Sequence, residues 1–191
     1  MIPWIKKYEP KKSSEIIGQD EAIAYLKDFI ANTKKRKKKA VILYGPSGNG
    51  KTSSVYALAK ELDLELIEVN ASDFRNKDKI DSSIGEASKQ MSLFGRQKLI
   101  LVDEIDGLSG HEDRGGIQAI NKVIEGSRFP MILTCNEPYD EKLSSLRKNC
   151  EMLEFKTLDH DLICEFLKDI CKKEKISYDE SALKSLARRE S

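Results

Sequence analysis

Short apolar runs alternate with amphipathic stretches along most of the 191-residue chain. Residues 40–44 form a continuous apolar run that a Gly-Pro pair closes, which is typical of a strand buried on both faces. Similar runs follow at residues 64–69, 98–102, 131–134 and 152–155. Between these runs apolar residues recur at helical spacing, for example from Val55 to Leu62. The alternation predicts an α/β fold, with a parallel five-stranded sheet and helices on both of its faces.

The end of the chain has a different pattern, because two helical stripes follow the last predicted strand and no further strand comes after them. The first stripe runs from Leu162 to Cys171. The spacing Ser177-x-x-Glu180 resembles a capping box and predicts the start of a second helix. We therefore expect a core domain at residues 1–156 and the beginning of a small helical domain at 157–191, incomplete where the sequence stops.

Composition and charge narrow the class of protein. The 33 Lys and Arg residues nearly balance the 32 Asp and Glu residues, so the net charge is close to zero. No window approaches the roughly 18 uninterrupted apolar residues that a membrane span needs. Residues 1–6 become charged before the apolar core of a signal peptide could form. We expect a protein without membrane contact, located in the cytoplasm, whose contacts with nucleic acid are local rather than driven by bulk charge.

Two further features of the composition have plain interpretations. Cys135, Cys150, Cys164 and Cys171 lack the Cys-x-x-Cys spacing, so we predict reduced core residues rather than disulfides or zinc ligands. The basic run at residues 34–39 is interpreted as a solvated helix end and loop, with a contact to a phosphate backbone as the alternative.

The segment that follows the first predicted strand matches G-x-x-x-x-G-K-[ST], the pattern of a phosphate-binding loop. Its members are Gly45, Pro46, Ser47, Gly48, Asn49, Gly50, Lys51 and Thr52. Glycines let backbone N–H groups turn toward phosphate oxygens where a side chain would clash. We expect Lys51 to reach the β and γ phosphates and the Thr52 hydroxyl to ligate Mg²⁺. A helix that starts here adds its N-terminal dipole to the anion site.

Polar residues also end the third and fourth predicted strands. Asp103 is expected at the carboxyl edge of the sheet beside the loop, where it can hold Mg²⁺ through water. Glu104 is predicted to polarise the water that attacks the γ-phosphate, and Asn136 to orient that water or contact the γ-phosphate. The chain lacks the [NT]-K-x-D pattern that reads guanine, so the sequence favours ATP with Mg²⁺.

Together these motifs, followed by a helical region, resemble the AAA+ ATPases. Residues 4–10 with 16–19, and residues 69–73, look like boxes of the replication factor C subunits. Residues 103–109 with 113–116 are similar to the large subunit in particular. The resemblance covers essentially the whole chain. It implies a clamp-loader ATPase that couples ATP binding and hydrolysis to loading a sliding clamp on primer–template DNA, with the replication factor C small subunits, the ring-shaped clamp and that DNA as partners.

The same resemblance implies roles for individual residues. Tyr8, Pro10 and Ile17 would surround adenine. Met91, Leu93 and Phe94 would press into a pocket on the clamp, an ordinary turn that packs on its own core being the alternative. Arg75, Lys77 and Arg114 would contact DNA phosphates, with a solvated surface role as the alternative.

An arginine that the small subunits insert into a neighbour's ATP site is replaced here by Asn149. An uncharged amide cannot neutralise charge on the γ-phosphate. We therefore expect this subunit to receive such an arginine and to supply none, with Arg147 as a shifted candidate. Without a neighbour's arginine and a completed helical domain, the chain alone should bind nucleotide weakly and hydrolyse it slowly.

Two other functions stay open at this point. A different AAA+ machine, such as an initiator or a branch-migration motor, would share the ATP site but have no affinity for the clamp. A scaffold subunit could bind ATP as a structural lock without hydrolysing it. A small-molecule phosphotransferase is disfavoured because no acceptor site is evident. The lack of a long amino-terminal extension favours an archaeal over a nuclear protein.

Overall fold

The fold is built on a parallel sheet, as the alternation of apolar runs predicts. The computed structural model describes residues 3–71, 96–108 and 114–189, without the side chain of Arg114. Within these ranges the strands are β1 (Ala40–Tyr44), β2 (Glu65–Asn70), β3 (Lys98–Asp103), β4 (Met131–Cys135) and β5 (Glu151–Glu154). They are ordered β2-β3-β4-β1-β5, and every pair is parallel. The predicted strands are confirmed, each to within one residue at either end.

Within the described residues, helices precede the first strand, connect β1 to β2, β3 to β4 and β4 to β5, and follow the last strand. They are α1 (Trp4–Lys7), α2 (Asp20–Asn32), α3 (Lys51–Glu61), α4 (Arg114–Gly126), α5 (Ser144–Asn149), α6 (His160–Glu174) and α7 (Glu180–Arg189). The predicted cap of α7 is wrong, because the carboxylate of Asp179 caps this helix by accepting a hydrogen bond from the backbone N–H of Ala182 at 2.9 Å. Ser177 lies too far before the first turn to reach its N–H groups.

The core lies on both faces of the sheet, which explains why the central strands are continuously apolar. In β1, Ala40 and Ile42 pack with α4 and α5 on one face. Val41 and Leu43 pack with α2 and α3 on the other face. Adjacent residues of a strand point to opposite faces, so a strand covered on both sides must be apolar at every position.

The cysteines are free thiols, as predicted. Cys135, Cys150 and Cys164 are buried and Cys171 is partly buried. Burial raises the pKa of Cys135 and that of Cys150 to about 12, so both thiols stay protonated at neutral pH. In the described part of the chain, no helix has both the length and the apolar character that crossing a membrane requires.

The basic run at residues 34–39 is used partly inside the protein. The guanidinium of Arg36 donates to both carboxylate oxygens of Glu151, at 3.1 and 2.8 Å. Lys38 Nζ donates to the carbonyl of Cys150 at 2.7 Å, just after the end of α5. Lys39 Nζ donates to the carbonyl of Ser127 at 3.2 Å. The interpretation as a solvated segment therefore does not apply to these three side chains.

The carboxylate of Glu61, the last residue of α3, ties the N-terminal segment to the core. It accepts hydrogen bonds from Lys27 Nζ at 2.7 Å and from the backbone N–H of Ser13 at 2.8 Å. These donors, Lys27 first, lower the pKa of the Glu61 carboxyl to about 2. The charged form of this side chain therefore stabilises the folded state.

We expect Glu61→Gln to lower the free energy of unfolding by about 1 kcal/mol at pH 7. A depressed pKa gives stabilisation that is present above the ordinary value of 4.5 and is lost as the pH falls from there toward 2. Urea unfolding of wild type and variant at pH 7 and pH 3 measures the difference, with the exposed Glu165→Gln as control. A difference that stays constant at acid pH would contradict this role.

Candidate nucleotide-binding site

The loop between β1 and α3 requires glycine at two positions. At Gly45, where φ is 140°, an added Cβ would lie 2.2 Å from the carbonyl oxygen of Phe155, directly after β5. Gly50 has a φ of 89° and lies immediately before the first residue of α3. Side chains are strained in that left-handed region, whereas glycine is not. The predicted phosphate-binding loop thus has the backbone conformation that its glycines permit, at the start of a helix.

The side chain of Lys51 is folded into this loop and is only 8% exposed. Its Nζ donates to the carbonyls of Gly45 and Pro46 at 2.7 and 2.8 Å, and to Asn136 Oδ1 at 3.0 Å. Burial lowers the pKa of the Lys51 ammonium, although the nearby Asp106 and Asp103 carboxylates act in the opposite direction. A phosphate anion would be a stronger partner for this cation than any of these neutral oxygens.

Oxygen ligands suited to Mg²⁺ lie next to the lysine. Thr52 Oγ1 donates to Asp103 Oδ1 at 2.9 Å, across the gap between α3 and the end of β3. Hydroxyl and carboxylate oxygens are the ligands that Mg²⁺ prefers. The donor set of Thr52 and Asp103 therefore fits the metal that the sequence predicts.

Thr134 belongs to the site, although it was not predicted from the sequence. This buried residue of β4 donates its hydroxyl to Asp103 Oδ1 at 2.5 Å. Its Oγ1 also accepts a hydrogen bond from the backbone N–H of Glu104 at 3.0 Å. One hydroxyl thereby orients both acids at the end of β3. The available signal was a hydroxyl residue near the end of an otherwise apolar run, two positions before Asn136.

The two residues predicted to handle the attacking water lie at the same edge. Glu104 is exposed and adopts a φ of 57°, a left-handed conformation that is uncommon for a residue with a side chain and is found at functional sites. The backbone N–H of Asn136 donates to Asp106 Oδ2 at 2.8 Å. Asp106 was also not predicted, and its carboxylate fixes the turn that carries Asn136.

Most of the predicted phosphate-end residues line one cleft at the carboxyl edge of the sheet. The cleft is lined by Ser47, Gly48, Gly50, Lys51, Thr52, Asp103, Glu104 and Asn136, together with Ser53, Asp106, Thr134 and Cys135. Gly45 and Pro46 contribute the carbonyls that hold Lys51. Asn49 differs, because its buried amide donates to the carbonyl of Lys156 at 3.1 Å and so connects the loop to the segment leading to α6.

A second, largely apolar pocket of about 390 Å³ adjoins the loop. Tyr8, Pro10 and Ile17, the residues that the resemblance assigns to adenine, line this pocket. Ser47, Gly48, Gly50 and Ser53 line both this pocket and the cleft. The opposite wall consists of apolar residues of α6, namely Leu162, Ile163, Phe166 and Leu167. The arrangement offers an apolar cavity for a base at one end and a cation for phosphates at the other.

The residues predicted to contact the clamp and DNA cannot be placed in this way. Met91, Leu93, Phe94, Arg75 and Lys77 lie outside the described residues. Arg114 begins α4, but its side chain also lies outside them. These six assignments stay predictions.

Asn149, which replaces the inserted arginine, and Arg147, the shifted candidate, are both bound within their own chain. The Asn149 amide donates to Asn121 Oδ1 at 2.7 Å. Arg147 Nη1 donates to the carbonyls of Pro138 and Asp140, at 2.5 and 2.7 Å, in the turn that follows β4. In this structure Arg147 therefore stabilises the turn after β4 in its own chain.

Comparisons with known proteins find similarity over most of the chain. The model of the AAA family, the ATPase family associated with various cellular activities, matches residues 41–157. The replication factor C large subunit of Nanoarchaeum equitans is 49% identical over 187 residues, 97% of this chain and 44% of that protein. Those of Staphylothermus marinus and Thermofilum pendens are 45% and 42% identical, each over 98% of this chain and 45% and 46% of their own lengths. The chain thus spans about half the length of the curated relatives it matches.

Proposed function

Because this chain belongs to the AAA family of ATPases, we propose that it binds ATP with Mg²⁺ and hydrolyses it as part of a replication factor C large subunit. The observation that carries the proposal is the cleft in which Lys51, the Thr52–Asp103 pair and Asn136 meet at one edge of the sheet. The high identity to large subunits over nearly the whole chain supports the choice within the family.

Each residue of the cleft has a proposed role that follows from its chemistry. Lys51 leaves its carbonyl partners and binds the β and γ phosphates. Thr52 and Asp103 would hold Mg²⁺, which neutralises phosphate charge when bound. Asn136 orients a water molecule in line with the γ-phosphorus. The water attacks, its proton passes to the Glu104 carboxylate, and the bond from the γ-phosphorus to the bridging oxygen breaks to leave ADP.

The second pocket is proposed to take the adenine base. Tyr8, Pro10 and Ile17 on one side and the apolar residues of α6 on the other would enclose its faces. Since α6 follows the core, we propose that residues 157–191 begin a helical lid over the nucleotide bound by residues 1–156. A nucleotide that contacts both residues 1–156 and residues 157–191 would couple its binding to the relative position of these two parts.

The proposed role of this subunit in the clamp-loader complex depends on the same ATP site. Because Asn149 and Arg147 are bound within their own chain, we propose that this subunit receives an arginine from a small subunit and supplies none. Nucleotide binding would close the subunits around the sliding clamp and primer–template DNA, and hydrolysis would release the loaded clamp. The work would take place in the cytoplasm of an archaeal cell.

Capture of the protein on an immobilised sliding clamp in the presence of ATP tests this function. We expect the wild type to be retained and a Leu93→Ala/Phe94→Ala variant to lose about tenfold in affinity, because large apolar residues dominate such interfaces. Leu62→Ala, at an exposed leucine just after α3, is the matched control. A wild type without affinity for the clamp would instead favour an initiator or a branch-migration motor.

A further inference from the structure

We infer that Glu174 is a positioning residue that latches the N-terminal segment to α6 and so retains a nucleotide in the pocket between them. The inference rests on the proposed function, because it assigns a residue to holding the base of the same nucleotide. Glu174 is the last residue of α6 and does not line the pocket itself. Its effect would therefore be exerted through Tyr8.

The pocket has two walls that come from opposite ends of the sequence. Tyr8, Pro10, Ile16 and Ile17 form one wall, and Leu162, Ile163, Phe166 and Leu167 of α6 form the other. The phosphate-binding loop lies between them. A molecule enclosed in this way can leave when the walls separate, so the contacts that join the walls control its release.

Glu174 joins the two walls through one carboxylate oxygen. Its Oε1 accepts hydrogen bonds from Tyr8 Oη at 2.6 Å and from Lys7 Nζ at 2.5 Å. The Glu174 side chain is only 17% exposed, although it lies near the molecular surface. The Lys7 and Tyr8 donors lower the pKa of Glu174, so the acceptor is a carboxylate at neutral pH. Hydrogen bonds to a charged acceptor are stronger than those between neutral groups.

Residues 4–8 depend on this contact because their own packing is slight. None of the four residues of α1 is buried. Tyr8, which follows α1, is held at its hydroxyl by Glu174, and the Lys173 ammonium lies 5.8 Å from the centre of its ring. On the helix side, Lys175 ends α6 in a left-handed conformation, which fixes Glu174 at the terminus of a 15-residue helix. A rigid acceptor thus holds a loosely packed segment.

A nucleotide has a base end and a phosphate end, so the effect of Glu174 on holding the base can be measured separately from phosphate binding. Glu174→Gln is compared with Glu165→Gln, the same substitution at an exposed position of the same helix. The dissociation rate of a fluorescent ATP analogue is measured by stopped flow, and the affinity for inorganic tripolyphosphate by competition. We expect Glu174→Gln to raise the dissociation rate about three- to tenfold, a modest factor because the contact is partly exposed. Glu165→Gln should leave the rate unchanged, and both variants should bind tripolyphosphate as the wild type does.

A double-mutant cycle with Tyr8→Phe separates a latch from a general loss of stability. The variant keeps the aromatic wall and removes only the hydroxyl that Glu174 accepts. We expect the Tyr8→Phe and Glu174→Gln effects on dissociation to be less than additive, because both remove one shared contact.

The inference would be overturned if Glu174→Gln and Glu165→Gln released the analogue at equal rates, or if tripolyphosphate affinity fell as much as ATP affinity. Those results would leave the proposed function intact, provided that the wild type binds ATP. A wild type that bound neither ATP nor tripolyphosphate would overturn the proposed function together with the latch.

Discussion

Replacing Lys51 with alanine is expected to lower the affinity for ATP by at least about 100-fold, because charge-assisted bonds to phosphate are lost. The lysine is the cation that the structure places at the centre of the cleft, where three neutral oxygens now hold its ammonium. An alanine cannot reach the β and γ phosphates or offset their charge. Titration calorimetry with a nonhydrolysable ATP analogue and Mg²⁺ measures the loss directly.

The same substitution should not unfold the protein. Burial disfavours the charged form of Lys51, as its lowered pKa indicates, so removing the charge relieves a desolvation cost while it removes three hydrogen bonds. We expect the free energy of unfolding to change by no more than about 1 kcal/mol in either direction. Lys60→Ala, at an exposed lysine of the same helix, is the matched control for ATP affinity. Full nucleotide affinity in Lys51→Ala would refute the proposed site.

Replacing Glu104 with glutamine is expected to lower the hydrolysis rate by about 100-fold or more, while ATP affinity stays within about threefold of the wild type. An amide of nearly the same size cannot accept the proton of the attacking water. The contact that positions Glu104 is made by its backbone N–H with Thr134, so the substitution leaves it in place. Binding and chemistry should therefore separate in this variant.

Single-turnover hydrolysis in the assembled complex measures this effect, with the substitution in this subunit only. Glu125→Gln, at an exposed position of α4, controls for the change in charge. A hydrolysis rate that is unchanged in Glu104→Gln would favour a subunit that binds ATP as a structural lock. A loss of binding equal to the loss of rate would instead assign Glu104 to holding the nucleotide.

The phosphate end of the site could be predicted because its signals are local. The loop requires glycine at positions 45 and 50. Both positions lie within one short run of residues, so a sequence motif can identify the loop. Asp103 ends an apolar strand and Asn136 directly follows another, and parallel strands bring their carboxyl ends to one edge, so both residues could be assigned. The family match at residues 41–157 confirms the AAA fold that these motifs predict.

Other site residues could not be found in this way because their roles depend on distant partners. In the sequence, Thr134 and Asp106 cannot be distinguished from the other hydroxyl and carboxylate residues. In the fold, Thr134 contacts Asp103 and Asp106 contacts Asn136. Asn49 matches a variable position of the loop motif, and its hydrogen bond to Lys156 appears only in the fold. The basic run at residues 34–39 was similarly ambiguous, since Arg36, Lys38 and Lys39 each bind a partner that lies 115, 112 and 88 residues away, respectively.

The sequence alone predicted the strands, the helices that separate them and the phosphate-binding loop, because apolar periodicity and backbone requirements act between neighbouring residues. It also indicated the family, through the resemblance of its motifs. Only the tertiary structure decided which side chains meet across the molecule. It placed Glu174 on Tyr8, 166 residues away, and bound Arg147 to the turn after β4. Hydrogen bonds and charge pairs extend over only about 3 Å, so a pair that is distant in sequence has no local pattern that could predict it.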